Sequence, residues 1–171
     1  MASEEVDRFL SRRQSLGEGH TEAWKRTLEE AQMLADDRRE NGWEATYVMA
    51  AHTDTVSKDM NDHDRFGLMH VLPNNFVDRF TEAYDSDAFS EYLVYGTSVD
   101  GVMFVVIELI DPEGERAILV PCSYDMTMAK GMSESAAEAG VLPSYFKTID
   151  GEIIARFDHD EIEPLVTPPN A

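Results

Sequence analysis

Glu91-Tyr92-Leu93-Val94-Tyr95-Gly96-Thr97-Ser98, then Asp100-Gly101, then Val102-Met103-Phe104-Val105-Val106-Ile107-Glu108-Leu109-Ile110 is the stretch that decides the fold. The Asp-Gly pair strongly favours a two-residue hairpin between two extended runs. The second run is almost wholly apolar, as expected of a central strand buried on both faces. Asp111-Pro112-Glu113-Gly114 turns the chain again, and Arg116–Ser123 returns beside it. The product is a three-stranded antiparallel meander.

Working outward, Trp24, Leu28, Ala31 and Ala35 recur at helical spacing, which predicts a helix from Thr21, its N-cap, to Asn41-Gly42. Trp43–Ala51 reads as a strand, and polar, Asp-rich His52–Arg65 as a loop. Phe66–Leu72 is a short strand closed by Pro73. Asn74 or Asn75 then caps a helix carrying Phe80 and Tyr84 on one face. Asp125 caps a third helix that Gly140 stops. Asp150-Gly151 joins a last strand pair, Tyr145–Ile149 and Glu152–Phe157. The expected class is α+β, a mostly antiparallel sheet of about 5–7 strands with about three helices packed on it. Residues 1–19 read as a flexible lead-in, 20–160 as a single globular domain, and 161–171 as a loose, proline-containing tail.

The charge narrows the classes of function. Thirty-four Asp and Glu oppose 14 Lys and Arg, a formal charge of −20 over 171 residues. Nucleic-acid phosphate is not a partner for such a surface. The longest apolar run, Val102–Ile107, falls far short of the roughly 20 residues that cross a bilayer, so no membrane is expected either. Met1–Glu5 lacks the basic and apolar parts of a secretory leader, and one cysteine, Cys122, makes no disulfide framework. Only four of the basic residues are Lys. Many carboxylates with few Lys suit a cytoplasm of molar salt, where the Debye length of about 3 Å screens self-repulsion.

Chemistry-bearing residues concentrate between the first two strands. His52-Thr53-Asp54 and Asp62-His63-Asp64 are followed by His70. Imidazole and carboxylate together suit Zn²⁺, Mn²⁺ or Fe²⁺, and His52, Asp54, His63 and His70 form the candidate metal set of a hydrolase. The competing reading is that Asp and His merely solvate a loop. Cys122-Ser123-Tyr124-Asp125 sits where a strand meets a helix, yet Cys122 alternates in step with Ile118 and Val120 and is expected in the core. Glu108 interrupts the most hydrophobic strand. Its expected place is the strand's solvent-side end, with Arg116 as counterion if one is required. No glycine-rich phosphate loop is present.

Asn41-Gly42-Trp43, the run Leu119-Val120-Pro121-Cys122-Ser123-Tyr124-Asp125 and the hairpin around Asp150-Gly151 resemble small acidic proteins of unassigned function from halophilic archaea. The resemblance covers roughly Thr21 to Phe157 and brings no catalytic residues or cofactor with it. The expected function is that of a non-enzymatic binding or regulatory module in a halophile's cytoplasm, working as a homo-oligomer or with a protein partner. The metal-dependent hydrolase is the alternative, tied to loop 52–70.

Overall fold

The computed structural model describes residues 18–58 and 65–167. The chain runs α1 (Glu18–Glu40), β1 (Glu44–Tyr47), β2 (His52–Val56), β3 (Gly67–Val71), α2 (Asn74–Ala83), β4 (Glu91–Val99), β5 (Val102–Asp111) and β6 (Arg116–Asp125). A 3-10 turn (Met126–Met128), α3 (Lys130–Ala139), β7 (Leu142–Lys147), β8 (Ile153–His159) and α4 (Glu163–Val166) follow.

The meander forms as expected. Positive φ at Asp100 (50°) and Gly101 (84°) gives the tight turn, and β4, β5 and β6 pair antiparallel along their whole lengths. The expected mostly antiparallel sheet of about 5–7 strands, however, is eight strands in two four-stranded mixed sheets, β1-β6-β5-β4 and β2-β3-β7-β8. Each contains one parallel pair, β1 with β6 and β3 with β7. The chain passes from one sheet to the other within two residues. Ala50 still donates to Pro121 O of the first sheet, while Ala51 donates to Val71 O of the second.

Buried side chains explain the layering. Ala31 and Ala35 of α1 pack on Val106, Ala117 and Leu119, covering one face of the first sheet. The opposite face presents Met103, Val105, Ile107, Leu109, Ile118, Val120 and Cys122. These join Leu68, Leu142, Phe146 and Phe157 of the second sheet in one core, which Phe76 and Phe80 of α2 and Met132 of α3 complete. Central strand β5 is therefore apolar on both faces because one meets a helix and the other a sheet.

Several boundaries differ from expectation. His52–Val56, read as loop, is strand β2: Thr53 and Thr55 face inward while His52 and Asp54 face out. Its polar alternation is that of a half-buried strand, and its threonines are β-branched. The cap of α2 is Pro73, not Asn74 or Asn75, with no side-chain hydrogen bond. Asp125 caps the 3-10 turn, accepting from Thr127 N, and α3 begins five residues later. Part of the segment read as tail is α4, whose Leu165 is fully buried and accepts from the Tyr124 hydroxyl at 2.7 Å. Residues 1–17 and 168–171 lie outside the described residues.

Candidate functional site

Strand β2 separates the sequence candidates. His52 and Asp54 sit two residues apart and so share its outer face, with Nε2 2.6 Å from Oδ1 and both side chains about half exposed. The bond from His52 holds the Asp54 carboxyl below its usual range. Thr53, between them, points the other way and stands opposite His70 in register. The structure thus brings His52 and Asp54 together but puts His70 on the opposite face of the sheet. His63 lies outside the described residues, and among the described residues no three His, Cys, Asp or Glu are grouped to hold a metal.

His70 belongs instead to a buried polar chain. Its Nδ1 lies 2.9 Å from Thr53 Oγ1, and its Nε2 lies 3.1 Å from Ser144 Oγ. Ser144 Oγ is also 2.7 Å from Nε2 of His159, and the Thr53 hydroxyl is hydrogen-bonded to Cys122. Thr53, His70, Ser144 and His159 come from four different strands, and the last three are at 0% exposure. Burial alone pushes His70 down to about 3; burial, and then the repulsion the protonated ring would meet from a protonated His70, does the same to His159. Both rings are therefore neutral imidazoles at neutral pH, and each presents one N–H and one lone pair. His159 Nδ1 has no hydrogen-bond partner among the described residues. Burial likewise pushes the Cys122 thiol up to about 12, leaving it protonated rather than nucleophilic.

Sequence reading missed Ser144, Thr53 and His159. Two of the three had a signal: Leu142-x-Ser144-x-Phe146 and Phe157-x-His159 put polar residues in step with core residues on an inward face.

Glu108 is not at a solvent-side end. It is 1% exposed, beneath α1, and its partner is Arg38 rather than Arg116. Tyr95 donates to Oε1 at 3.0 Å, and burial next to that carboxylate raises the phenol to about 12. Arg38 also stacks on Trp43, 4.2 Å from the ring centroid. Arg116 is engaged with Asp111 at 2.8 Å.

One open feature of the described surface is the rim of the first sheet. Strand β4 is its terminal strand. Beside the first half of β4 runs a groove of about 370 Å³, lined by Ser90–Val94 on one side and by Asp160, Glu161 and Pro164 on the other. Leu93 is 47% exposed there, and the Tyr92 hydroxyl bridges to Glu161 O.

This two-sheet, helix-covered α+β chain matches, over residues 11–167, the model of DUF7529, a family of unknown function. It belongs to that family. No curated protein and no solved structure matches it. No helix among the described residues is long and apolar enough to cross a membrane.

Proposed function

We propose that this chain is a non-enzymatic binding module of a salt-adapted cytoplasm, associating with a second copy of itself along the free edge of β4. One observation carries the reading: in a chain of net charge −20, the nine residues of this rim strand contain a single charged side chain, Glu91. Natural sheets blunt their edges with lysine, proline or inward charges, and β4 has none of these. Paired antiparallel about a two-fold axis, two such strands would set their Glu91 side chains at opposite ends, away from each other. Ser144, flanked by two histidines, is sealed in the core and therefore reads as structural.

The test is mass by light scattering across a concentration series in about 2 M KCl, a salt level chosen for screening. Wild-type chain is expected to dimerise. Leu93→Lys and Thr97→Lys, which place charge on the rim strand, are expected to stay monomeric with unchanged far-UV circular dichroism. Monomer throughout for wild type would end the reading.

A further inference from the structure

We infer that His159 and Tyr92 form an acid-sensitive latch between the two sheets, which opens ahead of the core when His159 takes up a proton. The latch belongs to the same rim as β4 and is independent of what pairs there. Three observations meet in it: a position beside the groove, a direction in the buried polar chain, and an open nitrogen.

His159 is the last residue of β8, the terminal strand of the second sheet. Its ring, at 0% exposure, stands edge-on to Tyr92 of β4, the terminal strand of the first sheet, with centroids 4.4 Å apart. The Tyr92 hydroxyl completes the join by donating to Glu161 O, just past β8. Tyr92 and Glu161 also line the β4 groove, as does Asp160, the residue after His159. Displacing Tyr92 therefore gives His159 a path to solvent. His70 is held differently: β3 lies between β2 and β7, the ring stacks on Phe146 at 5.0 Å, and both its nitrogens are hydrogen-bonded.

The four links from Cys122 through Thr53, His70 and Ser144 to His159 need one proton each. Two arrangements satisfy all four. In one, every donor points towards His159, and the last N–H, on Nδ1, is a buried donor without a partner among the described residues. In the other, His159 Nε2–H donates to Ser144, Ser144 to His70 Nε2, His70 Nδ1–H to Thr53, and Thr53 to the thiol, whose weak S–H is spare. A buried N–H left unpaired is the costlier loose end, so the second arrangement holds. It leaves His159 Nδ1 a bare lone pair, where a proton adds without breaking any link. His70 can take one only if Ser144 turns away.

The titratable groups facing His159 are Tyr92 from β4 and, beyond Ser144, His70 from β3. Asp158 and Asp160 flank it in sequence; both are exposed, and Asp158 is paired with Arg156 at 2.6 Å. Sealed, the ring refuses a proton. Once Tyr92 has moved it titrates at the ordinary imidazole value of 6.5, and the open form gains about tenfold for each pH unit below that.

The experiment follows amide exchange of the full wild-type chain and of His159→Phe from pH 6.5 to 4.5 in about 1 M KCl, each amide corrected for its intrinsic rate. In wild type, the opened fraction at the protected amides of residues 91–94 and 157–159 is expected to exceed that of β5 throughout. It is expected to rise about tenfold per pH unit, one proton's worth. In His159→Phe the rise at residues 91–94 is expected to vanish. Opening of these residues only in step with β5, or without pH dependence in wild type, overturns the latch. So does a tenfold rise per unit that survives in His159→Phe. Imidazole nitrogen NMR of the wild-type chain at pH 7 needs no variant: Nε2–H on His159 with Nδ1–H on His70 is expected. The opposite tautomers overturn the direction of the chain and with it the open nitrogen.

Discussion

Arg38 grips the Glu108 carboxylate from 70 residues away, donating from Nε to Oε2 at 2.9 Å and from Nη2 to Oε1 at 3.3 Å. The pair ties α1 to the central strand of the first sheet, where the buried acid's other partner among the described residues is the Tyr95 hydroxyl. Removing the cation strands a carboxylate that is 1% exposed.

Arg38→Ala is therefore expected to destabilise the fold by about 3 kcal/mol, the lower end for breaking a buried pair because Arg38 keeps some solvent contact. Replacing both partners with apolar residues, Arg38→Met with Glu108→Leu, should recover most of that loss. Urea unfolding of the two variants measures the difference. An Arg38→Ala cost no larger than the roughly 0.5 kcal/mol of an ordinary surface change would mean the pair does not anchor the helix.

The buried histidines set an acid limit. His70 and His159 titrate near 3 in the folded chain, against 6.5 for an unconstrained imidazole. Below 6.5 the unfolded chain takes up two protons that the folded chain refuses, so stability is full above 6.5 and falls as pH drops towards 3. The expected slope is up to about 2.7 kcal/mol per pH unit, two protons' worth. His159→Phe, which removes one of the two groups, should roughly halve that slope. Stability that stayed flat between pH 6.5 and 4.5 would show that the rings are not held neutral.

What was legible in the sequence follows contact distance. The meander over residues 91–125 announces itself because its pairings are local and its turns carry Asp-Gly and Pro-Glu-Gly signals. The parallel partnerships are silent, since nothing in Glu44–Tyr47 names residues 116–119 as its neighbours. Strand β2 was hidden by its polarity, because its inward face carries Thr53 and Thr55 where a strand is usually recognised by Val or Ile. His70 stands out in the sequence only as one of a candidate metal set, because its actual partners lie at positions 53, 144 and 159 and only the fold assembles them. Arg38 was equally out of reach as the partner of Glu108.

Gly96 is the backbone's least tolerant position on the rim strand. Its φ is 151°, and a Cβ there would lie 2.1 Å from Phe104 O and 2.7 Å from Val105 Cα. These are backbone atoms of β5, which cannot yield without breaking the ladder. Gly96→Ala is expected to cost at least about 3 kcal/mol, in the range of severe overpacking. Thr97→Ala next door should cost about 1 kcal/mol or less, because it removes part of a half-exposed side chain and inserts nothing. Equal thermal midpoints for the two variants would remove the glycine's role in seating β4 on β5.

Charge makes the last prediction. Net repulsion among 20 uncompensated negative charges opposes the compact state, and added salt weakens it as the Debye length falls from about 10 Å at 0.1 M to about 3 Å at 1 M. The pairs most shielded from this screening, such as Arg38 with Glu108, are few beside the exposed carboxylates. The thermal midpoint should therefore rise steadily between about 0.1 and 2 M KCl, with most of the gain below 1 M, where the Debye length changes fastest. Substituting ten exposed Asp and Glu by Asn and Gln should flatten the curve and raise its low-salt end. A midpoint indifferent to KCl in the wild-type chain would mean that its acidity is not an adaptation to a high-salt cytoplasm.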